Sequence, residues 1–170
     1  MDPFETFGIE PAFSVDLAAL EQRYRDLSRV VHPDKHAGAG AGDRRRALSK
    51  AIDVNAAWRI LRDPVKRAEA VLATRGVVID ERSQPKASPA LLMDVMEQRE
   101  ELAEAKARGD RGRVSQLATS ISAREADAIT RLDAGFSAGD LDRDGMLSIL
   151  GELRYLRRFL DEVRLIEETL

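Results

Sequence analysis

The sequence predicts an all-α protein built as an N-terminal helical hairpin followed by a C-terminal three-helix bundle. Three observations carry that prediction. Charged residues make up 34% of the 170 positions and aromatics only 5%, a composition suited to amphipathic helices far better than to sheet. Apolar residues recur at three- and four-residue intervals in one stretch after another, the spacing of a helical face. Prolines and glycines fall between those stretches, where helices start and stop.

Taken in order, Phe4, Phe7 and Ile9 form a short apolar opening before Pro11. Asp16, or alternatively Ser14, can cap a first long helix running to about Val31, with Leu17, Leu20, Tyr24, Leu27 and Val31 as its stripe. Pro33 ends it, since proline has no N–H to donate and pushes His32 toward extended backbone. A loose Ala/Gly run follows, His36 to Gly42, and Asp43 is positioned to cap the next helix, to about Arg62. Leu48, Ile52, Ala56 (or Val54), Leu61 and Trp58 can face the first helix antiparallel. Asp63-Pro64 is an N-cap with proline at the first helical position. That third helix runs to about Arg75, and Gly76 ends it. Residues 76–87 lack a helical period and read as a linker between a domain at 1–75 and a bundle at 88–170.

Within the bundle, Ser88-Pro89 repeats the cap-then-proline start, and Gly109 ends the helix. Val114, Leu117, Ile121, Ile129, Leu132 and Phe136 define the second helix, and Ile149, Leu153, Leu156, Leu160 and Val163 the third. Three such helices can bury one shared core. At about 100° per residue, Leu91, Val95, Leu102 and Ala105 share one face of the helix that starts at Ser88. Leu92, Met93 and Met96 project to one side of it, and Glu97, Arg99, Glu100 and Glu104 continue that side with charge. An apolar patch rimmed by charge is a common partner surface, and methionine suits an adaptable one. The alternative is that Leu92 and Met96 complete a wide stripe inside a tightly packed bundle.

Composition and motifs narrow the function. The formal charge of −3 and pI near 5.5 offer nothing to a nucleic acid or an anionic membrane. With no cysteine, disulfides, thiol catalysis and thiolate metal sites are excluded. The acidic opening Met1 to Glu5 is unlike a secretory signal or an Arg-rich transit peptide, and no window is apolar enough to span a bilayer; the expected setting is cytoplasmic. Asp140-x-Asp142-x-Asp144-Gly145 imitates the start of a calcium loop, but position twelve, which needs a bidentate Glu, is Gly151. A capped turn is the simpler reading, and a calcium-responsive helical protein the competing one. His32 and His36 are spaced like a helical metal pair, but Pro33 breaks the register and no third ligand is at hand. No phosphate loop, triad or carboxylate pair suggests an enzyme, and no cofactor is expected.

Helix, His32-Pro33-Asp34 loop, helix: this order resembles a J domain, the module by which a co-chaperone stimulates the ATPase of a DnaK-type chaperone. Leu92-Met93-x-x-Met96-Glu97-x-Arg99-Glu100-Glu101-Leu102 resembles the signature of the HscB family of J-proteins. Phe7-Gly8, Tyr24-x-x-Leu27-Ser28, Asn55-x-x-Trp58-x-x-Leu61, Pro64-x-x-Arg67-Ala68 and Leu153-Arg154-Tyr155-Leu156 extend the likeness along the chain. The resemblance implies a co-chaperone that binds the iron–sulfur scaffold IscU and delivers it to the chaperone HscA. It assigns scaffold binding to Leu92, Met93, Met96, Glu97, Arg99, Glu100, Glu104 and Tyr155. Tyr155 stands where the family often has phenylalanine, keeping the ring and adding a hydroxyl, and the Ala/Gly run also departs from the pattern. Animal members carry a cysteine-rich zinc extension that this sequence lacks, so it resembles the bacterial members. Chaperone binding falls to His32, Pro33, Asp34 and Lys35, with Arg25 and Arg29 on the polar side of the preceding helix. Their cationic face would speed docking onto an acidic patch, while His32 and Asp34 would bias a two-state element of the chaperone. A J-protein with another client is the nearest alternative.

Overall fold

The computed structural model describes residues 1–32, 38, 40–77, 79 and 88–169. Among these residues there are seven helices and no strand: α1 Pro3–Phe7, α2 Leu17–Val30, α3 Ala41–Leu61, α4 Pro64–Thr74, α5 Pro89–Arg108, α6 Arg111–Ser137 and α7 Arg143–Glu167. They form two compact units, Met1–Val78 and Ile79–Leu170.

Side-chain caps set the start of six helices. Asp2, Asp16, Asp63, Ser88, Asp110 and Asp142 each accept a backbone N–H from the first turn they precede, which satisfies donors that have no partner inside the helix. Proline follows the cap in α1, α4 and α5. Helix α1 was not foreseen from the apolar opening, yet Asp2-Pro3 repeats the start seen at Asp63-Pro64. Its end is marked by Gly8 at φ +58°, a left-handed conformation that suits glycine. Helix α3 departs from expectation at its start. It begins at Ala41 behind Gly40 with no side-chain cap, and Asp43, inside the first turn, pairs instead with Arg46 at 2.6 Å.

The buried face of α3 also differs from the expected one. Ala47, Val54, Ala57 and Leu61 are buried, whereas Leu48 and Ile52 are 52% and 60% exposed. Large aliphatics made the more visible pattern, but small alanines let α3 approach α1, α2 and α4 closely, so the true stripe runs through positions 47, 54, 57 and 61. Trp58 and Ala56 are half-buried. Leu17 lies outside the α2 stripe for a similar reason: at the first helical position it is 47% exposed, beyond the reach of the core. The core of this unit is filled by Phe4, Phe7, Phe13, Leu20, Leu61, Val71 and Leu72. Trp58 stacks between Tyr24, with centroids 5.1 Å apart, and Phe7, at 6.5 Å. The Tyr24 hydroxyl donates to Asn55 Oδ1 at 2.7 Å.

Arg67 is the one buried charged side chain among the described residues. Its Nε donates to the Phe13 carbonyl at 2.7 Å and its Nη1 to the Leu61 carbonyl at 2.6 Å, and its guanidinium lies 5.1 Å from the centroid of the Phe13 ring. The Leu61 carbonyl closes α3 and has no acceptor role within the helix. Burial lowers the Arg67 pKa and Asp63 opposes that shift.

In the second unit, α5, α6 and α7 pack side by side around Val95, Leu102, Leu117, Ile121, Leu132, Leu150, Leu153, Leu156 and Phe159. Ala128 and Leu150 occupy core places expected of Ile129 and Ile149, which are half-buried. A Cβ on Gly135 would collide with the Met146 sulfur, so glycine is what lets α6 and α7 approach there. Cross-helix ion pairs mark the directions. Asp94–Arg124 (2.5 Å) and Glu101–Arg113 show α5 running antiparallel to α6. Arg131–Glu152 (2.6 Å) and Glu125–Arg157 (3.0 Å) do the same for α6 and α7.

Replacing Arg67 with methionine keeps the apolar stem and leaves two carbonyls without their donor. The expected cost is about 2–4 kcal/mol, read from native-state hydrogen exchange of residues 41–77. A loss below about 0.5 kcal/mol would show that these carbonyls find other partners.

Candidate functional site

The described residues singled out in the sequence fall on two surfaces, one on each unit. On the first, the Asp16 cap accepts from Ala18 and Ala19 N–H at 2.9 and 3.0 Å and so fixes the phase of α2. That phase turns Arg25 and Arg29 outward. Arg25 Nη1 pairs with Glu21 at 2.9 Å and Arg29 with Asp26 at 3.5 Å, both pairs within the helix and exposed, hence weak and readily exchanged for an outside partner. Val31 is buried at the end of α2, and His32 directly after it is exposed. The helix end is thus anchored while the histidine is presented. Pro33, Asp34 and Lys35, with His36, lie outside the described residues.

The second surface is on α5. Ser88 Oγ accepts from Leu91 N–H at 3.1 Å, and Val95, Leu102 and Ala105 turn inward. With that stripe fixed, the opposite side must face water. Leu92 is 39%, Met93 65% and Met96 63% exposed, so Leu92 and Met96 do not complete the core. Glu97, Arg99, Glu100 and Glu104 are exposed beside them, Glu104 pairing with Arg108 at 3.1 Å.

Tyr155 comes from a different helix but falls in register. Since α5 and α7 are each antiparallel to α6, they run in the same direction. Arg99 of α5 pairs with Glu162 of α7 at 3.4 Å. Seven residues earlier on each helix, about 10 Å along the axis, stand Leu92 and Tyr155, on the same faces as that pair. Tyr155 is half-buried. Glu162 itself is exposed, one position before the buried Val163.

At the start of α7, the Asp142 carboxylate accepts from Gly145 N–H at 3.0 Å, and a Cβ at Gly145 would collide with it. The segment around Asp142–Gly145 is therefore a helix cap. Among the described residues, no group of three or more His, Asp or Glu is placed to hold a metal ion, and no helix is long and apolar enough to cross a membrane.

An exposed histidine at the end of a helix hairpin and a separate three-helix bundle with an apolar surface describe a J-domain co-chaperone. Residues 2–70 match the DnaJ domain family and residues 87–164 the HSCB C-terminal oligomerisation domain. The Co-chaperone protein HscB homolog of Shewanella sp. (strain ANA-3) is 34% identical, covering 100% of this chain and 99% of its own. That of Neisseria meningitidis serogroup B (strain MC58) is 35% identical over 95% of this chain and 93% of its own. Among solved structures, chaperone HscB from Vibrio cholerae has a TM-score of 0.88 at 28% identity, covering 100% of this chain and 99% of that one. Human co-chaperone HscB also scores 0.88, at 25% identity over 100% and 84%. The chain belongs to the HscB family of J-domain co-chaperones.

Truncating Leu92 and Met96 to alanine should leave helical content unchanged and stability within about 0.5 kcal/mol, because both side chains are exposed. Val95→Ala, one position away but buried, should cost about 1–3 kcal/mol. Thermal unfolding of the two variants side by side checks both values.

Proposed function

We propose that this protein is a co-chaperone of iron–sulfur cluster assembly in the bacterial cytoplasm, with its two tasks on separate units. The bundle at 88–170 binds the IscU scaffold through Leu92, Met93, Met96, Glu97, Arg99, Glu100, Glu104 and Tyr155. The J domain at 1–75 brings that cargo to an HscA-type chaperone through His32, Pro33, Asp34 and Lys35, with Arg25 and Arg29, and stimulates ATP hydrolysis there. The observation that carries this reading is the exposure of three large apolar side chains, Leu92, Met93 and Met96, on one side of a helix whose core stripe is already filled.

The physical roles follow from the side chains. Leu92 and the methionines supply apolar area that gains by leaving water, and flexible thioethers fit an irregular partner. The Tyr155 ring adds a rigid contact beside Leu92. Glutamates and Arg99 around this patch select register and partner by charge more than they add affinity. On the other unit, Arg25, Arg29 and Lys35 steer an acidic partner into encounter. His32 and Asp34 then make hydrogen bonds to one state of the chaperone, shifting its equilibrium toward hydrolysis. The bond that breaks is on the chaperone, so this chain needs no nucleophile.

Calorimetric titration with IscU tests the bundle. Saturable 1:1 binding is expected, weakened by about 1–2 kcal/mol for each of Leu92→Ala and Met96→Ala. No binding by the unaltered protein would leave a J-protein with a different client. For the J domain, His32→Gln should abolish stimulation of the chaperone's ATPase and leave IscU affinity at its original value. Loss of both together would refute the separation of tasks.

A further inference from the structure

We propose that Met93 and Met96 form a reversible oxidation site: peroxide turns their thioethers into sulfoxides, and the bundle then holds its scaffold less tightly. This deepens the scaffold-binding role given to the α5 patch and rests on that reading.

The chain has four methionines and no cysteine, so no thiol competes with the thioethers for an oxidant. Burial divides the four. Met146 is 2% exposed, with its sulfur against Gly135, and water-borne peroxide does not reach it. Met1 is open but belongs to the first unit. Met93 and Met96, 65% and 63% exposed, are the open pair of the second unit, and both lie on the patch. Three residues apart, they are neighbours on one side of α5, next to Leu92. A single exposed methionine is ordinary surface. Here the two sulfurs that an oxidant finds on the bundle are the two that face the scaffold.

The sulfur lone pair attacks one oxygen of hydrogen peroxide. The S–O bond forms as the O–O bond breaks, sulfur gives up an electron pair, and the other oxygen departs as water with both protons. The side chain keeps its length and gains a polar, hydrogen-bond-accepting oxygen. Facing water, that oxygen is satisfied; against an apolar partner it loses hydration and needs a donor. The neighbours one turn on, Glu97 and Glu100, are exposed carboxylates, which accept and do not donate. Arg99, which does donate, is paired with Glu162. Leu92 has no sulfur to oxidise, so part of the patch persists and binding is weakened rather than abolished. Val95, Leu102 and Ala105 carry the packing of α5, so the helix stays in place. A methionine sulfoxide reductase reverses the change: its dithiol becomes a disulfide and the oxygen leaves as water. The exposure that admits peroxide also admits that enzyme.

The test exposes the full-length protein to hydrogen peroxide, removes the oxidant, and then titrates an IscU-type scaffold by calorimetry. Peptide mass mapping should find an added oxygen at Met93 and at Met96 before any at Met146. The dissociation constant should then rise about tenfold, with helical content by circular dichroism unchanged. Treatment with both types of methionine sulfoxide reductase, one for each sulfoxide epimer, should restore it. Met93→Leu with Met96→Leu, compared with its own untreated sample, should show no change in affinity on oxidation. Sulfoxides at both positions with an unshifted constant would overturn the site and leave scaffold binding standing. A constant that rises in the leucine variant too, or that the reductases do not restore, would overturn it in favour of general damage. No binding by the untreated protein would overturn both readings.

Discussion

Burying the Arg67 guanidinium costs hydration, and the structure recovers that cost by giving the cation two carbonyls and an aromatic face. Those partners belong to three segments: the connector before α2 through Phe13, the last turn of α3 through Leu61, and α4 through Arg67 itself. An ammonium could not serve in its place, because the two acceptors are met by different nitrogens of one planar group. Once α3 is fixed by this tie, Trp58 can stack on Tyr24 and hold α2 against it. The end of α2, and with it His32, takes its position from that packing. A residue at the exposed tip of the hairpin is in this way placed by a cation at its base.

Local chemistry made most of the helix boundaries legible in advance. Asp16, Asp63-Pro64 and Ser88-Pro89 start helices where expected, because a short polar side chain before a helix satisfies donors that nothing else reaches. The same logic at Asp2-Pro3 was overshadowed by the shortness of α1, which is stabilised by burying Phe4 and Phe7 rather than by its own length. Alanine was the main source of error. In α3 the buried positions 47 and 57 are alanines chosen for close approach, and a reading weighted toward large aliphatics selects Leu48 and Ile52 instead. Ala128 misled in α6 for the same reason. Asp43 shows the limit of capping rules, since an aspartate in the first turn also favours the helix through its dipole.

On α5 periodicity left two readings open, and packing separates them. A helix between two neighbours has one inward face, and Val95, Leu102 and Ala105 occupy it. What periodicity alone could not supply is the relation between helices. The register of Tyr155 with Leu92 depends on α5 and α7 running parallel, a consequence of two antiparallel turns that the Arg99–Glu162 pair marks. Residues 63 positions apart thereby come to one level of the bundle. Linear motifs show the pieces of such a surface, and topology assembles them.

The Phe7–Trp58–Tyr24 stack has an optical consequence. Trp58 is the only tryptophan in the chain and belongs wholly to the first unit. Light absorbed above the tyrosine band therefore excites one half of the molecule and leaves the other dark. Its emission colour follows the seating of α2 on α3, close to His32, and is blind to events on α5 unless they reach across the chain. The protein carries its own intrinsic probe for asking whether loading one unit is felt by the other.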